Sequence, residues 1–407
     1  MNKKRLFVGS CMALAVTAMS FAIRGDISPD LESVFELSKT NVGWILGAAF
    51  WGFGLSIIIG GPLCDYFGMH NILRLAALGH LGGTLLTIIA PNFPVLFLAT
   101  LIIGIANGFV EAAINPLVAS MYTKEKTAKL TMLHAWFPGG IVIGGVLSFA
   151  LTKMGFGLGA EHGWQIKMAL MIIPTIMYAA LFMGQKFPAT ERVTAGVPFG
   201  DMFKELLRPL FIVVWLMMWL TAATELCVGA WVPNIYQDLT GSSAGILVVV
   251  FINGIMYAFR QFGGGLAHKF TPVKLIMFTS IFAFAGLWMY RLADAMQSTP
   301  LWFVAAAVFA LGVAYWWPSM LGITSERFPR GGALALAVIG GTGSISTAVG
   351  NPVMGWINEA TRPGLVLPIW SALPLIIFIV FTVVYLRDKT KGGYKAEEIA
   401  VQEAAAE

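Results

Sequence analysis

Glu111 lies in a long apolar run, LFLATLIIGIANGFVEAAINPLVASMY, with Asn107 four residues before it and Asn115 four residues after. On a helix these three positions form one stripe. A second carboxyl, Glu225, sits in TAATELCVGAW, and Arg24 and Asp26 sit in AIRGDISPD. A further stripe, Asn253, Tyr257, Arg260 and Gln261, follows in another apolar run, and Asn351 comes after Ser344 and Thr347. Ionisable groups in such surroundings are expensive and mark solute or proton paths. The chemistry they suit is proton exchange by a carboxyl and hydrogen bonding to a polar solute. There is no nucleophile–base set, which argues against an enzyme. No phosphate-binding glycine loop of the GxxxxGK[ST] type occurs, so ATP drive from this chain is not expected. Cys11, Cys64 and Cys227 are scattered without metal-ligand spacing, so neither a metal site, a cofactor nor a disulfide framework is expected.

The elements that must hold these groups are membrane helices. The chain has 407 residues, is 57% hydrophobic and 12% charged, and has a mean hydropathy of +0.78. An ordinary soluble globule is excluded. Twelve apolar segments fall near 6–36, 40–62, 71–90, 94–120, 128–152, 164–187, 209–236, 243–267, 273–293, 300–322, 333–358 and 364–386. Pro29 is expected to break the outer part of the first. MNKKR before an apolar run resembles a signal peptide, but the run continues well past Cys11, so an uncleaved first helix is expected. Of the 26 Lys and Arg, nineteen fall in the N-terminus, the even-numbered loops and the C-terminal tail. Five (Lys39, Lys153, Lys167, Arg291, Arg362) fall in the odd-numbered loops and adjoining helix ends. This split places both termini in the cytoplasm of a bacterial inner-membrane protein and makes the basic pI a topology signal, not a nucleic-acid footprint.

The longest connection, 188–208, divides the chain into six-helix bundles at 1–187 and 209–386, with a tail at 387–407. Its FGDMFKELL could lie flat as a short amphipathic helix. The halves echo each other: GGPLCDYFG against GGGLAHKF, and two glycine-rich segments in corresponding positions. Repeated halves put a solute site between them near the midplane. This architecture, together with Gly61, Leu63, Asp65 and Gly68 in GPLCDYFG, resembles the major facilitator superfamily. The match is degenerate where the family has basic residues and this chain has Tyr66, Met69 and His70. The resemblance implies that Gly61, Asp65 and Gly68 form a conformational latch, with the aspartate also able to serve as a helix cap.

Glu111 in E-A-A-I-N-P-L is similar to the E-x-A-x-N-P segment of the fucose/glucose–galactose proton symporters, where this glutamate is tied to proton coupling. Glu225, Gly229 and Trp231 resemble a sugar-carrier pattern from which Thr221 and Ala223 depart. Where those relatives carry a glutamine and an asparagine, this chain has His134 and Phe137. The expectation is an all-α, twelve-helix, monomeric secondary transporter that imports a small neutral solute, most plausibly a sugar, with protons. Glu111 and Asp26 would couple the proton. Glu225, Trp231, Asn115, Asn107, His134, Asn253, Tyr257, Arg24 and Asn351 would meet the solute. Arg24 is expected to pair internally with Asp26, Glu111 or Glu225, and Arg260 to snorkel towards the cytoplasm. Trp231 could equally be an interfacial anchor, and Trp316 and Trp317 could wall the cavity or pack. Rival readings are an organic-anion transporter using Arg24, a drug/proton antiporter, and a membrane sensor that transports nothing.

Overall fold

The computed structural model describes residues 2–122, 129, 132–154, 159–188, 204–262, 270–328 and 331–397. Among them the chain is helical, without strands. Twelve elements cross the bundle: α1 Lys3–Val34, α2 Lys39–Phe67, α3 Met69–Ile88, α4 Phe93–Met121, α5 Met132–Met154 and α6 His162–Phe182. After the connection come α7 Pro209–Thr240, α8 Gly245–Phe262, α9 Pro272–Ala295, α10 Thr299–Thr324, α11 Gly332–Ala360 and α12 Pro363–Thr390. Eleven are long and apolar enough to cross a membrane, and α8 is shorter. FGDMFKELL and GGGLAHKF lie largely outside the described residues.

Two apolar cores organise the bundle. One is drawn from α1–α6 and centres on Leu14, Ile23, Ile72, Ile103, Ile114 and Trp164. The other is drawn mainly from α7–α12, with Trp231, Trp302, Phe309 and Trp316 among its members. They meet along three seams: α2 with α11, α5 with α8, and α1 with α7. In the α2–α11 seam, glycines allow backbone contact. A Cβ at Gly47 would stand 2.5 Å from the Ala348 carbonyl oxygen, and one at Gly43 would stand 2.7 Å from the Asn351 carbonyl oxygen.

Two of the prolines inside helices, in α1 and α4, each free a carbonyl that a side chain then satisfies. Pro29 does not interrupt α1, contrary to expectation. Its missing N–H frees the Gly25 carbonyl, and the Ser28 hydroxyl donates to that oxygen at 2.8 Å. Pro116 likewise frees the Ala112 carbonyl, which accepts from the Cys64 thiol at 3.6 Å. The turn between α2 and α3 is made by Gly68 at φ +81°, a conformation glycine adopts without strain. Gly68 is the N-cap of α3. The Asp65 side chain lies outside the described residues.

Candidate functional site

A cavity of about 60 Å³ opens where α1, α2, α5, α7, α8 and α10 converge. Its polar lining is Arg24, Glu225, Asn253 and Arg260; Phe21, Phe50 and Phe137 supply aromatic surface. Phe21 stacks on Phe50 with ring centroids 4.4 Å apart, and Phe137 lies 6.2 Å from Phe21. Sequence reasoning placed Phe137 at a position where relatives meet the solute but passed over Phe21 and Phe50, because an apolar residue in an apolar helix carries no signal of which way it faces.

Local helix defects set two of the charged groups. Glu225 lies in a π-helical turn, Ala223–Cys227, inside α7. That turn loosens the ladder. The Ala223 carbonyl accepts from the Trp370 indole at 3.2 Å, and the Ala222 carbonyl accepts from Thr347 at 3.5 Å. In α10, Pro318 removes the donor for the Ala314 carbonyl, and Arg260 Nε fills its place at 2.9 Å. The other end of Arg260 donates from Nη2 to Glu225 Oε1 at 3.1 Å. Arg260 therefore turns inward and does not snorkel. Glu225 and the proline-freed Ala314 carbonyl both lie within its reach.

Asp26 is also paired, again not with Arg24. It accepts from Ser148 Oγ at 2.5 Å and from Lys167 Nζ at 2.9 Å; Lys167 also lies 3.7 Å from Asp30. Lys167, which reads as a helix-end charge, is buried.

These pairings leave Arg24. It is 2% exposed, and its one hydrogen bond among the described residues runs from Nη1 to the Ser20 carbonyl at 3.3 Å. Its Nη2 is buried without a partner, and no carboxylate among the described residues lies within ion-pair distance of it. The internal partner expected for Arg24 is thus absent: Glu225 is held by Arg260 and Asp26 by Lys167. A buried, uncompensated guanidinium costs several kcal/mol of desolvation, on the order given for buried ions.

The remaining expected residues fall around this centre. Glu111 has no hydrogen-bond or ion-pair partner among the described residues and is not part of the cavity lining. Asn115 bonds His134 Nε2 at 3.0 Å, joining α4 to α5, and neither lines the cavity. Asn107 lies in a buried chain with His80 and Ser20. Trp231 is fully buried in the core of the second half, away from the lining. Tyr257 is partly exposed and passes Gly139 of α5. Asn351 is buried in α11, its side-chain amide without a partner. Its backbone meets Gly43, so it belongs to the α2–α11 seam. Trp316 packs and donates to Thr279 at 2.9 Å, and Trp317 lies against Gly343. Of the residues expected at the site, the cavity gathers Arg24, Glu225 and Asn253.

The chain is similar to the 3-(3-hydroxy-phenyl)propionate transporter of Escherichia coli (strain K12), 24% identical over 76% of this chain and 77% of that protein. It is similar to the 4-hydroxybenzoate transporter PcaK of Pseudomonas putida, 22% identical over 91% of this chain and 90% of that protein. The backbone superposes on the partially occluded inward-open conformation of the xylose transporter XylE from E. coli with a TM-score of 0.79. That match covers 94% of this chain and 97% of XylE at 13% identity. The Major Facilitator Superfamily model matches residues 6–333, and the chain belongs to that family: a multi-pass membrane transporter.

Proposed function

We propose that this transporter carries a small organic anion, an aromatic carboxylate, and that Arg24 receives the carboxylate. The carrying observation is the unpartnered, buried Arg24 in a cavity walled by Phe21, Phe50 and Phe137. A planar guanidinium suits a carboxylate in bidentate geometry, and phenylalanine faces suit a ring. The names of two relatives, a hydroxyphenylpropionate and a hydroxybenzoate transporter, support the same class. Glu225 and Asn253 are then available to a hydroxyl at the far end of the solute.

Protons drive import in this proposal, with Glu111 as the carrier, a carboxyl with no fixed partner among the described residues. Protonating it removes a charge from the membrane span and lowers the cost of crossing the occluded state. Residues 1–187 and 209–386 rock against each other as a monomer, joined by 188–208. The Lys and Arg bias puts both termini in the cytoplasm of a bacterial inner membrane.

A neutral sugar is the second reading, favoured by the Glu111 and Glu225 motifs and by Asn253 in the lining. Against it, Trp231 offers no indole surface to the cavity. Proteoliposomes under an inward proton gradient separate the two. They are expected to accumulate labelled 4-hydroxybenzoate or 3-(3-hydroxyphenyl)propionate but not xylose, and Arg24→Gln should weaken uptake by roughly a hundredfold, the scale of a buried charge-pair loss. Xylose accumulation unaffected by Arg24→Gln would sink the anion reading. Glu111→Gln should keep exchange and lose gradient-driven accumulation.

A further inference from the structure

Four helices are tied together by a buried side-chain chain that ends at the root of Arg24. Tyr178 on α6 meets His80 Nδ1 on α3 at 2.9 Å, and His80 Nε2 meets Asn107 Oδ1 on α4 at 2.7 Å. Asn107 Nδ2 donates to Ser20 Oγ on α1 at 3.0 Å, and Ser20 Oγ donates to the Thr17 carbonyl at 2.7 Å. The roles run in one direction. Because the Asn107 amide donates to Ser20, its oxygen accepts from His80 Nε2–H. A neutral ring then takes the Tyr178 O–H at Nδ1. His80, Asn107 and Ser20 are all fully buried.

We propose that His80, Asn107 and Ser20 are positioning residues for Arg24, deepening the reading of Arg24 as the anion site. Ser20 is one helical turn before Arg24, and its carbonyl is the single acceptor Arg24 has among the described residues. The chain holds Ser20 through its hydroxyl. It thereby fixes the Nη1 anchor and leaves Nη2, buried without a partner, available to the solute. Without the clamp, the guanidinium is free to turn to an interior carboxylate, Glu111 or Glu225, and the anion then has to compete with it.

The test uses the full chain in nanodiscs, with 4-hydroxybenzoate as probe. Asn107→Ala should raise Kd and the uptake KM by roughly tenfold while the maximal rate falls less than about threefold, a loss of binding and not of turnover. In an Arg24→Gln background the same change should add nothing, because it acts through Arg24. A purely structural clamp lowers the melting temperature in both backgrounds and leaves KM alone; that result, or additive losses, overturns the proposal. Ser20→Ala, which deletes one hydroxyl, repeats the test if Asn107→Ala does not fold. A wild type that fails to bind the probe, or an Arg24→Gln variant that binds normally, defeats the anion reading instead. In that event the structure of Asn107→Ala decides the positioning role by itself. Arg24 swung towards Glu111 or Glu225 supports it, and Arg24 unmoved on Ser20 overturns it.

Discussion

The two faces of the bundle are fastened differently. On the face carrying the α1–α2 turn and the end of α7, side chains of the two halves bond directly. Lys39 Nζ reaches Glu32 at 2.6 Å in its own half and Asp238 and Asn234, each at 3.0 Å, in the other. Asn234 returns a bond to Glu32 at 3.2 Å, and Glu359 accepts from the backbone and hydroxyl of Thr40, each at 2.7 Å. On the face carrying the termini, the hydrogen bonds and ion pairs among the described residues stay within one half. Arg5 caps the carbonyls at the end of α6, and Lys3 reaches the Met121 carbonyl. Arg208 holds Glu205 and Glu397, and Arg327 holds Asp388. The difference teaches that, among the described residues, one end of the bundle is fastened by bonds between the halves, while the bonds described at the other end brace each half internally.

The comparison can be broken hardest at the α2–α11 seam. Gly47→Leu puts a side chain against the Ala348 backbone, which cannot yield as a flexible side chain can. The fastened face should fail to close, and uptake should fall more than about tenfold while the protein still folds as two halves. Cross-linking of cysteine pairs placed across the α2–α11 seam, together with transport, checks this; normal cross-linking with normal uptake would refute the seam argument. Next comes Lys39→Ala. It leaves Glu32 and Asp238 facing each other without their shared cation and should shift the balance towards opening by about 1 kcal/mol, the scale of a partly exposed ion network. Spin-label distances across that face should lengthen, and added salt should reduce the difference between wild type and variant.

The smallest effect is expected on the terminal face, where Tyr394 donates to Glu326 at 2.7 Å and lies under Arg327. Burial and the Glu326 carboxylate raise the Tyr394 phenol above its ordinary value. A phenol whose folded value is raised favours its neutral form in the docked tail. The stabilisation is therefore complete below the ordinary phenol value of about 10 and is lost as pH climbs through the raised one. The protection of the tail amides, taken relative to their base-catalysed intrinsic exchange, should be flat from neutral pH up to the ordinary phenol range and fall beyond it. Tyr394→Phe should loosen the tail by about 1 kcal/mol or less and leave spin-label distances across the opposite face unchanged. A change at the far face would mean that the two faces are not independent.

Much of the fold was legible because membrane helices announce themselves by length and apolarity. The segment expected at 71–90 is α3 at Met69–Ile88, and that expected at 273–293 is α9 at Pro272–Ala295. Charge was less legible. Lys167 and Arg260 near segment ends read as interfacial, yet both turn into the bundle, because hydropathy does not record the direction in which a long side chain bends. The stripe of Asn107, Glu111 and Asn115 was correctly placed on one helix. Its members nonetheless face different neighbours: α1 and α3 for Asn107, α5 for Asn115. His80, the hub of the buried chain, carried no motif and was passed over.

By itself the sequence determined that this chain must be a bundle of membrane helices in two related halves, since a bilayer allows few ways to satisfy so apolar a backbone. It also determined that a handful of interior charges needed explaining. Only the tertiary structure decided which of them cancel. Arg260 closes on Glu225 and Lys167 on Asp26, leaving Arg24 with an open valence in an aromatic cavity. Burial and charge type are properties of a residue and its near neighbours in sequence. Pairing is a property of distances between helices far apart in the chain, and those distances are set by glycine contacts, proline-freed carbonyls and a π turn acting together.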